Sequence, residues 1–258
     1  MKRELGYKIV IGILLLIIIA QWVFIITRPK IAPPKIPVAI KGKIAIVLDD
    51  WGYNLNNLNI IEQIKYPLTC SILPNLNYSQ EIARELHTRG FQIILHLPLE
   101  PHEKYRLEKN TIMTSMDEST IRNTINQDLD NVVYAKGVSN HMGSRVTEDL
   151  KTMEIIFKEL KKRQLFFLDS MVSSKSIGSD LASKMGLRLA KRDVFLDNKE
   201  EPGYIREQIY KLKIKAKIYG RAIGIGHDRK ITLEILKEVM PQLEKEGYKF
   251  VFVSELVK

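Results

Sequence analysis

The chain has 258 residues, a formal net charge of +10 and one cysteine, Cys70. A single cysteine excludes an intrachain disulfide and a zinc site built from several thiolates. The basic residues lack the interleaved aromatics and glycines of a nucleic-acid-binding module, so we expect no nucleic-acid partner. Beyond the N-terminal segment, roughly 215 residues remain, which is enough for one domain with a full hydrophobic core.

The N-terminal segment predicts a transmembrane helix. Residues Ile9–Ile26 are apolar except for Gly12 and Gln21, and this length is close to the ~20 residues that cross a bilayer. No small-residue cleavage site follows, so we expect an uncleaved membrane anchor over residues 1–28. Basic residues before the apolar run favour a cytoplasmic N-terminus, whereas the basic residues after it weaken that orientation.

A proline-rich segment and one long α/β region follow. Residues 29–41 contain four prolines, which predicts an extended linker. In residues 42–258 short β-type runs alternate with longer amphipathic segments, as in βα units that build a mostly parallel sheet. So many βα units in one domain favour a closed or nearly closed barrel over an open doubly wound sheet.

The predicted elements alternate along this region. The strands are Ile44–Leu48, Thr69–Leu73, Gln92–Leu95, Gly137–Ser139, Leu165–Leu168, Val194–Leu196, Ala222–Ile225 and Phe250–Val253. The helices are Asn54–Lys65, Ser79–Arg89, Asp117–Asn131, Thr147–Arg163, Ser176–Met185, Pro202–Tyr219 and Thr232–Lys245. We expect Ser115, with Glu118, and Thr147 to cap the helices that follow them.

Acids or histidines follow five of the apolar runs. They are the pair Asp49-Asp50, then His96, His141, Asp169 and His227. Because the carboxyl ends of parallel strands open onto one face, these groups are expected to converge there. Such a set is typical of a metal-dependent hydrolase.

The adjacent aspartates and two of the histidines are the first candidates for ligands. Neighbouring side chains of a strand point to opposite sides, so we expect only one of Asp49 and Asp50 to face the core. Two carboxylates side by side are costly without a cation, although one of them could simply cap the following turn. His96 ends a buried strand, which suits a metal ligand, and Glu100 could add an oxygen from the same loop.

The segment around His141 reads as a loop of the site. Asn140 and Ser144 flank the histidine in a polar cluster, with Gly143 allowing close backbone approach to a ligand. The alternative is that His141 only holds the turn by a hydrogen bond. Further strand-end residues could orient the histidines or bind substrate hydroxyls. These are Asp169, Ser170, Asp193 and Asp197.

A glycine-containing segment and a run of lysines also bear on function. The sequence Gly224-x-Gly226-His227 lacks the further residues of a phosphate-binding loop, and His227 is a better candidate for proton transfer. A run of alternating lysines, Lys211, Lys213, Lys215 and Lys217, suggests an anionic neighbour such as lipid headgroups or a wall polymer. A solvated helix face is the plainer alternative.

Six short motifs carry a resemblance to a known family. They are IAIVLDDWGY at 44–53, HLPLEP at 96–101, SNHMGS at 139–144, FFLDS at 166–170, RDVFLDN at 192–198 and GIGH at 224–227. Their order resembles that of the divergent polysaccharide deacetylases (YibQ-like), which are distant relatives of the NodB-type carbohydrate esterases. The resemblance covers residues 43–258 and implies a distorted (β/α) barrel.

The resemblance also implies roles for individual residues. Asp49 would be the general base and Asp50 a metal ligand. The relatives' His-x-x-x-His-Pro motif is similar to His96-x-x-x-Glu100-Pro101, in which the second histidine is replaced. His141 would then complete an Asp-His-His set, with Glu100 as the fallback ligand.

Two further roles follow from the same comparison. The relatives' late Leu-His-Asp motif is similar to Gly226-His227-Asp228, which makes His227 the general acid. Asn140-His141 stands where the relatives have the arginine that orients the base, and Arg192 is its expected replacement. The implied cofactor is a divalent metal, Zn²⁺ or a similar ion.

Together these features predict a metal-dependent deacetylase that acts on an acetylated glycan or cell-wall polymer. The domain would be anchored at the outer face of the cytoplasmic membrane, in an extracytoplasmic or periplasmic position. Two alternatives stay open: an inactive, membrane-tethered glycan-binding or scaffold module, and another metal-dependent hydrolase that uses the same site on an ester or phosphate.

Overall fold

The computed structural model describes residues 2–27 and 39–258, which belong to two separate compact units. The predicted linker at 29–41 lies outside the described residues except for its last three. Helix α1 (Lys2–Thr27) forms the first unit. Within Arg3–Thr27, an 18-residue window has a mean hydropathy of 3.1, so the helix is long and apolar enough to cross a membrane, a property that signal sequences share.

The second unit is built on one parallel sheet. Its strands are β1 (Gly42–Trp51), β2 (Thr69–Ile72), β3 (Gln92–Leu99), β4 (Gly137–Met142), β5 (Phe166–Asp169), β6 (Leu189–Lys191), β7 (Val194–Phe195), β8 (Arg221–His227) and β9 (Tyr248–Phe250). The order is β6-β5-β4-β3-β2-β1-β8-β7, with β9 beside β1. Within residues 39–258 the sheet pairing does not join β6 to β7, so the predicted distorted barrel is confirmed in an incompletely closed form.

Seven helices of the second unit follow the strands, within its described residues 39–258. They are α2 (Leu58–Ile61), α3 (Ser79–Thr88), α4 (Glu118–Asn131), α5 (Leu150–Lys162), α6 (Gly178–Met185), α7 (Pro202–Tyr219) and α8 (Lys230–Lys245). Helix α2 is a single turn, much shorter than the predicted Asn54–Lys65. Strand β6 was not predicted, because three residues are too few to show a periodic pattern.

Both predicted helix caps were wrong by two residues. Asp117, not Ser115, caps α4 by accepting a hydrogen bond from the backbone N–H of Thr120. Asp149, not Thr147, caps α5 through the N–H of Thr152. A carboxylate accepts these bonds at least as well as a hydroxyl, and it also complements the positive helix N-terminus.

The core has two parts that lie on opposite faces of the sheet. Along β1, Ile44, Ile46 and Leu48 belong to a large cluster that includes residues of the helices. The alternating residues Ala45 and Val47 belong to a small cluster made only of strand and C-terminal residues. Because successive strand side chains alternate between faces, the small cluster marks the inner face of the barrel.

Candidate metal centre

Strand alternation carries three candidate residues to the inner face of the barrel. Asp49, His96 and His227 each lie two positions after a residue of the small inner cluster. Those residues are Val47, Ile94 and Ile225. Asp49 and His227 are also direct cross-strand partners in the β1–β8 pairing. The carboxyl ends of the strands therefore present these side chains to one point, as the sequence suggested.

Asp50, His96 and His141 form a compact triangle of donor atoms. Asp50 Oδ1 lies 3.3 Å from His96 Nε2 and 3.2 Å from His141 Nδ1. The two imidazole nitrogens are 3.3 Å apart. His96 is buried and the other two residues are partly buried.

The backbone of Asp50 makes this triangle possible. Its φ angle is +65°, and the β1–β2 register shifts between Leu48 and Trp51, as in a β-bulge. The bulge breaks the alternation, so the expectation that only one aspartate faces inward was wrong. Asp49 Oδ2 lies 3.7 Å from the same His96 nitrogen that Asp50 approaches.

The chemistry of the triangle fits a divalent transition-metal ion. Two imidazoles and one carboxylate are a common catalytic zinc set, and ligands bound at 2.0–2.1 Å in tetrahedral geometry lie roughly 3.4 Å apart. Within the triangle, the buried atom Asp50 Oδ1 has no hydrogen-bond partner among the described residues. Since buried polar atoms are normally paired, this arrangement is favourable only with a proton or cation between the donors.

Ser139 holds His96 through the ring nitrogen on the side away from the triangle. Its Oγ lies 2.8 Å from His96 Nδ1 and 2.6 Å from Ser71 Oγ, and all three residues are buried. A partner on the remote nitrogen fixes the ring and leaves Nε2 facing the triangle. Sequence reasoning missed Ser139, although its position two residues before His141 places both on the same side of β4.

His227 is held on the other side of the site by Asp197. Asp197 Oδ1 lies 2.9 Å from His227 Nδ1, and Oδ2 accepts hydrogen bonds from the backbone N–H of His227 and from Thr232 Oγ1. His227 Nε2 is left 3.8 Å from Asp50 Oδ2. Among the strand-end acids considered in the sequence, Asp197 is the one that orients a histidine.

Charges are distributed unequally within this site. Burial raises the pKa of Asp49. Burial also acts to raise the pKa of Asp50, but the imidazoles of His141 and His96 outweigh it and hold that pKa far below its ordinary range. Burial disfavours charge on His227, but Asp197 and the nearby aspartates raise its pKa above the ordinary value.

Two candidate residues lie away from the triangle. Glu100 Oε2 accepts hydrogen bonds from the N–H and Oγ1 of Thr114 at 2.7 and 2.8 Å, while its other oxygen faces Arg145. Ser144 Oγ accepts a bond from the backbone N–H of His102. Both residues therefore hold loop backbone, and neither is brought into the donor cluster.

Gly143 serves packing as well. A Cβ at this position would lie 2.7 Å from Leu99 Cβ, and its φ is +91°. The glycine therefore allows close packing against the Leu99 side chain, whereas the sequence suggested approach to a ligand.

Asn140, Ser170 and Arg192 form a network beside the site. Asn140 Oδ1 accepts a hydrogen bond from the backbone N–H of Ser170. Arg192 Nε donates to the carbonyl of Ser170 at 2.6 Å, and its guanidinium lies 4.9 Å from the ring of Phe195. That ring packs edge-on against His227. Among its described contacts, Arg192 braces the loop after β5 and has no hydrogen bond to Asp49.

Asp169 and Asp193 stabilise the scaffold. Asp169 accepts hydrogen bonds from the Met171 N–H and from Ser176 Oγ, because strand alternation turns it away from the inner face. Asp193 Oδ2 accepts a bond from the Ile223 N–H and so helps to hold β7 against β8. Neither carboxylate is among the residues gathered around Asp50.

Comparisons with known proteins agree with this architecture. A sequence profile of divergent polysaccharide deacetylases matches residues 46–257. The uncharacterized protein YibQ of Escherichia coli K12 is 34% identical over 204 residues, which span 79% of this chain and 64% of YibQ. The chain therefore aligns with less than two thirds of that relative's length.

Solved structures show the same fold. An uncharacterized protein of Agrobacterium tumefaciens C58 superposes with a TM-score of 0.81 at 22% identity, over 85% of this chain and 90% of that one. A family 4 carbohydrate esterase of Streptomyces lividans, solved with acetate, gives a TM-score of 0.50 at 14% identity, over 82% and 93% of the two chains. On the sequence match, the chain belongs to the divergent polysaccharide deacetylase family.

Proposed function

We propose that this domain is a metal-dependent deacetylase that hydrolyses the N-acetyl amide of an acetylated glycan. The observation that carries the proposal is the triangle of Asp50, His96 and His141, with atoms 3.2 to 3.3 Å apart, between Asp49 and His227. Family membership supports an acetylated glycan as the class of substrate.

The three residues of the triangle would hold one divalent ion, of which Zn²⁺ suits the donor set best. Such an ion, when bound, polarises an amide carbonyl and makes a water molecule more acidic. Ser139 keeps Nε2 of His96 directed at the triangle. The protein thus supplies a fixed set of donors, which need no rearrangement when the substrate arrives.

In this proposal Asp49 would act as the general base. It is 3% exposed, and its Oδ1 has no hydrogen-bond partner among the described residues. Burial raises its pKa, which makes its carboxylate a better proton acceptor. A water molecule that attacks the acetyl carbon beside the triangle would transfer its proton to the Asp49 carboxylate.

In this proposal His227 would act as the general acid. Its Nδ1 faces Asp197 Oδ1, so the hydrogen on that nitrogen points away from the substrate. Nε2 then faces the centre of the site, 3.8 Å from Asp50 Oδ2. From there it would protonate the departing amine of the sugar as the amide bond breaks.

Helix α1 would keep the domain at the membrane surface. The helix has the length and hydropathy of a membrane span, and basic residues precede its apolar stretch. We propose a single-pass anchor in the cytoplasmic membrane with the domain on the outer, periplasmic side. There the domain would meet cell-wall glycans.

Acetate release from a defined panel of substrates tests this function. The zinc-loaded protein is compared with chelator-treated protein on N-acetylated oligosaccharides, O-acetylated glycans and a phosphate ester. We expect zinc-dependent acetate release from the N-acetylated substrates. Turnover of only the ester or phosphate would assign another hydrolase activity. Glycan binding without acetate release by the folded, metal-loaded protein would assign a binding module.

A further inference from the structure

The outward face of α7 carries an apolar stripe that the domain does not cover. Tyr210, Ile214 and Ile218 are spaced four residues apart, which places them on one side of the helix. They are 55%, 39% and 65% exposed, and Tyr219 at the helix end is 72% exposed. The opposite side of the helix packs into the core through Ile205, Ile209, Leu212 and Ala216.

Lysines border this stripe on both sides. At 100° per residue, Lys213 and Lys217 fall on one border and Lys211 and Lys215 on the other. The helix carries five basic residues and one acid, Glu207. Two of the lysines have acidic partners: Lys211 pairs with Glu207 at 2.8 Å and Lys213 with Glu246 at 3.0 Å. Arg206 pairs with Glu238, whereas Lys215 donates to a backbone carbonyl, that of Asp193. The face therefore keeps a net positive charge, carried by Lys215 and Lys217.

The exposed end of α7 lies where the N-terminal segment enters the domain. The backbone N–H of Lys43 donates to the carbonyl of Gly220, directly after α7. A Cβ on Gly42 would lie 2.4 Å from the Ala216 carbonyl oxygen, so β1 begins tightly packed against the helix. Ile40, just before it, is 61% exposed. The exposed face of α7 therefore ends beside the start of β1, where the tether, residues 28–41, joins the domain.

The length of the tether limits the distance of this surface from the anchor. Eleven residues, 28–38, separate the end of α1 from the first described residue of the domain. A fully extended peptide of that length reaches about 40 Å at most. An anchored α1 would thus keep the face of α7 at a high local concentration near the bilayer.

We propose that the outward face of α7 docks onto anionic lipid headgroups of the membrane that holds α1. The proposal rests on the membrane anchoring proposed above. Tyr210, Ile214 and Ile218 enter the interfacial layer, and the bordering lysines contact lipid phosphates. An acidic polymer would satisfy the lysines but would not require an exposed aliphatic stripe, so the lipid surface is the occupant that explains both features.

A fluorescent probe on the full chain tests the docking. The variant Ile214→Cys is labelled with an environment-sensitive dye and reconstituted into phosphatidylglycerol or phosphatidylcholine vesicles that contain a nitroxide-labelled lipid. The control is Leu150→Cys on α5, because Leu150 lies outside this face and is more exposed than Ile214, at 56% against 39%. The native Cys70 is fully buried and does not take up the label.

We expect the probe at 214 to be quenched roughly threefold more than the probe at 150, and only in phosphatidylglycerol vesicles. Adding Lys217→Gln should weaken this docking about fivefold. Equal quenching at the two positions would overturn the proposal, as would quenching that ignores lipid charge. A response to soluble polyglutamate but not to vesicles would assign a polyanion site instead.

Two readouts on the same vesicles separate this proposal from the earlier ones. Alkaline extraction shows whether α1 anchors the chain, and acetate release from a soluble oligosaccharide shows whether the site is active. Extracted protein with a quenched probe would refute the anchor and retain the docking face. Retained, active protein with an unquenched probe would refute the docking face alone.

Discussion

The two sides of the site satisfy their polar atoms in opposite ways. On the β1–β3–β4 side, Asp50 Oδ1 is buried without a hydrogen-bond partner among the described residues, although His96 Nε2 and His141 Nδ1 lie 3.3 and 3.2 Å from it. On the β7–β8 side, Asp197 accepts three hydrogen bonds and fixes His227. An unpaired buried oxygen indicates a place for an added ion, whereas full pairing indicates a fixed orientation. We therefore expect the first side to bind an ion and the second side to position His227.

Removing one donor of the triangle should have the largest effect. His96→Ala leaves Asp50 and His141 facing an unfilled position, and we expect both metal content and acetate release to fall to background. Elemental analysis and an acetate assay on the same sample check this. His102→Ala is the matched control, because His102 is an exposed histidine paired with Glu148. Loss of metal in both variants would contradict a specific role for His96.

Substitutions of His227 and Asp197 should lower activity without changing the metal content. His227→Ala should slow acetate release by about 10²–10⁴-fold, because the departing amine loses its proton donor, while metal content stays unchanged. Asp197→Asn should lower kcat by a smaller factor with little change in KM, since it only misorients His227. Equal loss of metal and activity in His227→Ala would place this histidine among the ligands instead.

The hydrogen bond between Ser139 and His96 should strengthen metal binding by the triangle. Ser139→Ala removes the partner of His96 Nδ1, and we expect metal affinity to fall roughly 10- to 100-fold. Ser71→Ala is the control, because Ser71 bonds to Ser139 and not to the histidine. Competition with a chromogenic chelator measures both affinities. Similar losses in the two variants would mean that packing, not ring orientation, sets the affinity.

The smallest predicted effect concerns a buried carboxyl outside the site. Asp128 is fully buried, accepts a bond from Asn75 and leaves Oδ2 unpaired. Burial raises its pKa to about 7. Protonation of Asp128, rather than a bound cation, removes the unfavourable buried charge beside this unpaired oxygen.

The sign of the resulting pH dependence follows from this raised pKa. The folded chain binds this proton more tightly than the unfolded chain, so its contribution to stability is lost as the pH rises from about 4 through 7. Asp128→Asn should remove that loss and stabilise the domain at pH 8, by on the order of 4 kcal/mol at most. Thermal unfolding at pH 5 and pH 8 measures the difference. A variant that is less stable at pH 8 would contradict the raised pKa.

Local patterns predicted most of the scaffold. The strands that contain His96 and His227 include continuous apolar runs, as buried parallel strands require, and the predicted start of each lies within one residue of the observed start. The helix Pro202–Tyr219 was predicted at its observed bounds, with proline at its start and Gly220 after its end. These features depend on residues that are close together in the sequence, so one sequence is enough to predict them.

Features that depend on backbone geometry or distant partners were not predictable. The inward turn of Asp50 arises from its positive φ within a bulge, which strand alternation does not reveal. Ser139 acquires its place only when β3 and β4 pair in the observed register. Glu100 was a reasonable fallback ligand by spacing. Its carboxylate instead accepts a hydrogen bond from Thr114, far along the same loop.

The central claim is that His141 and not Glu100 completes the donor set with Asp50 and His96. It is tested most directly by the metal content of the wild type, His141→Ala and Glu100→Gln after equal exposure to Zn²⁺. The account predicts about one ion per chain in the wild type and in Glu100→Gln, and none in His141→Ala. Metal retained by His141→Ala but lost from Glu100→Gln, or a folded wild type that binds no metal, would contradict it.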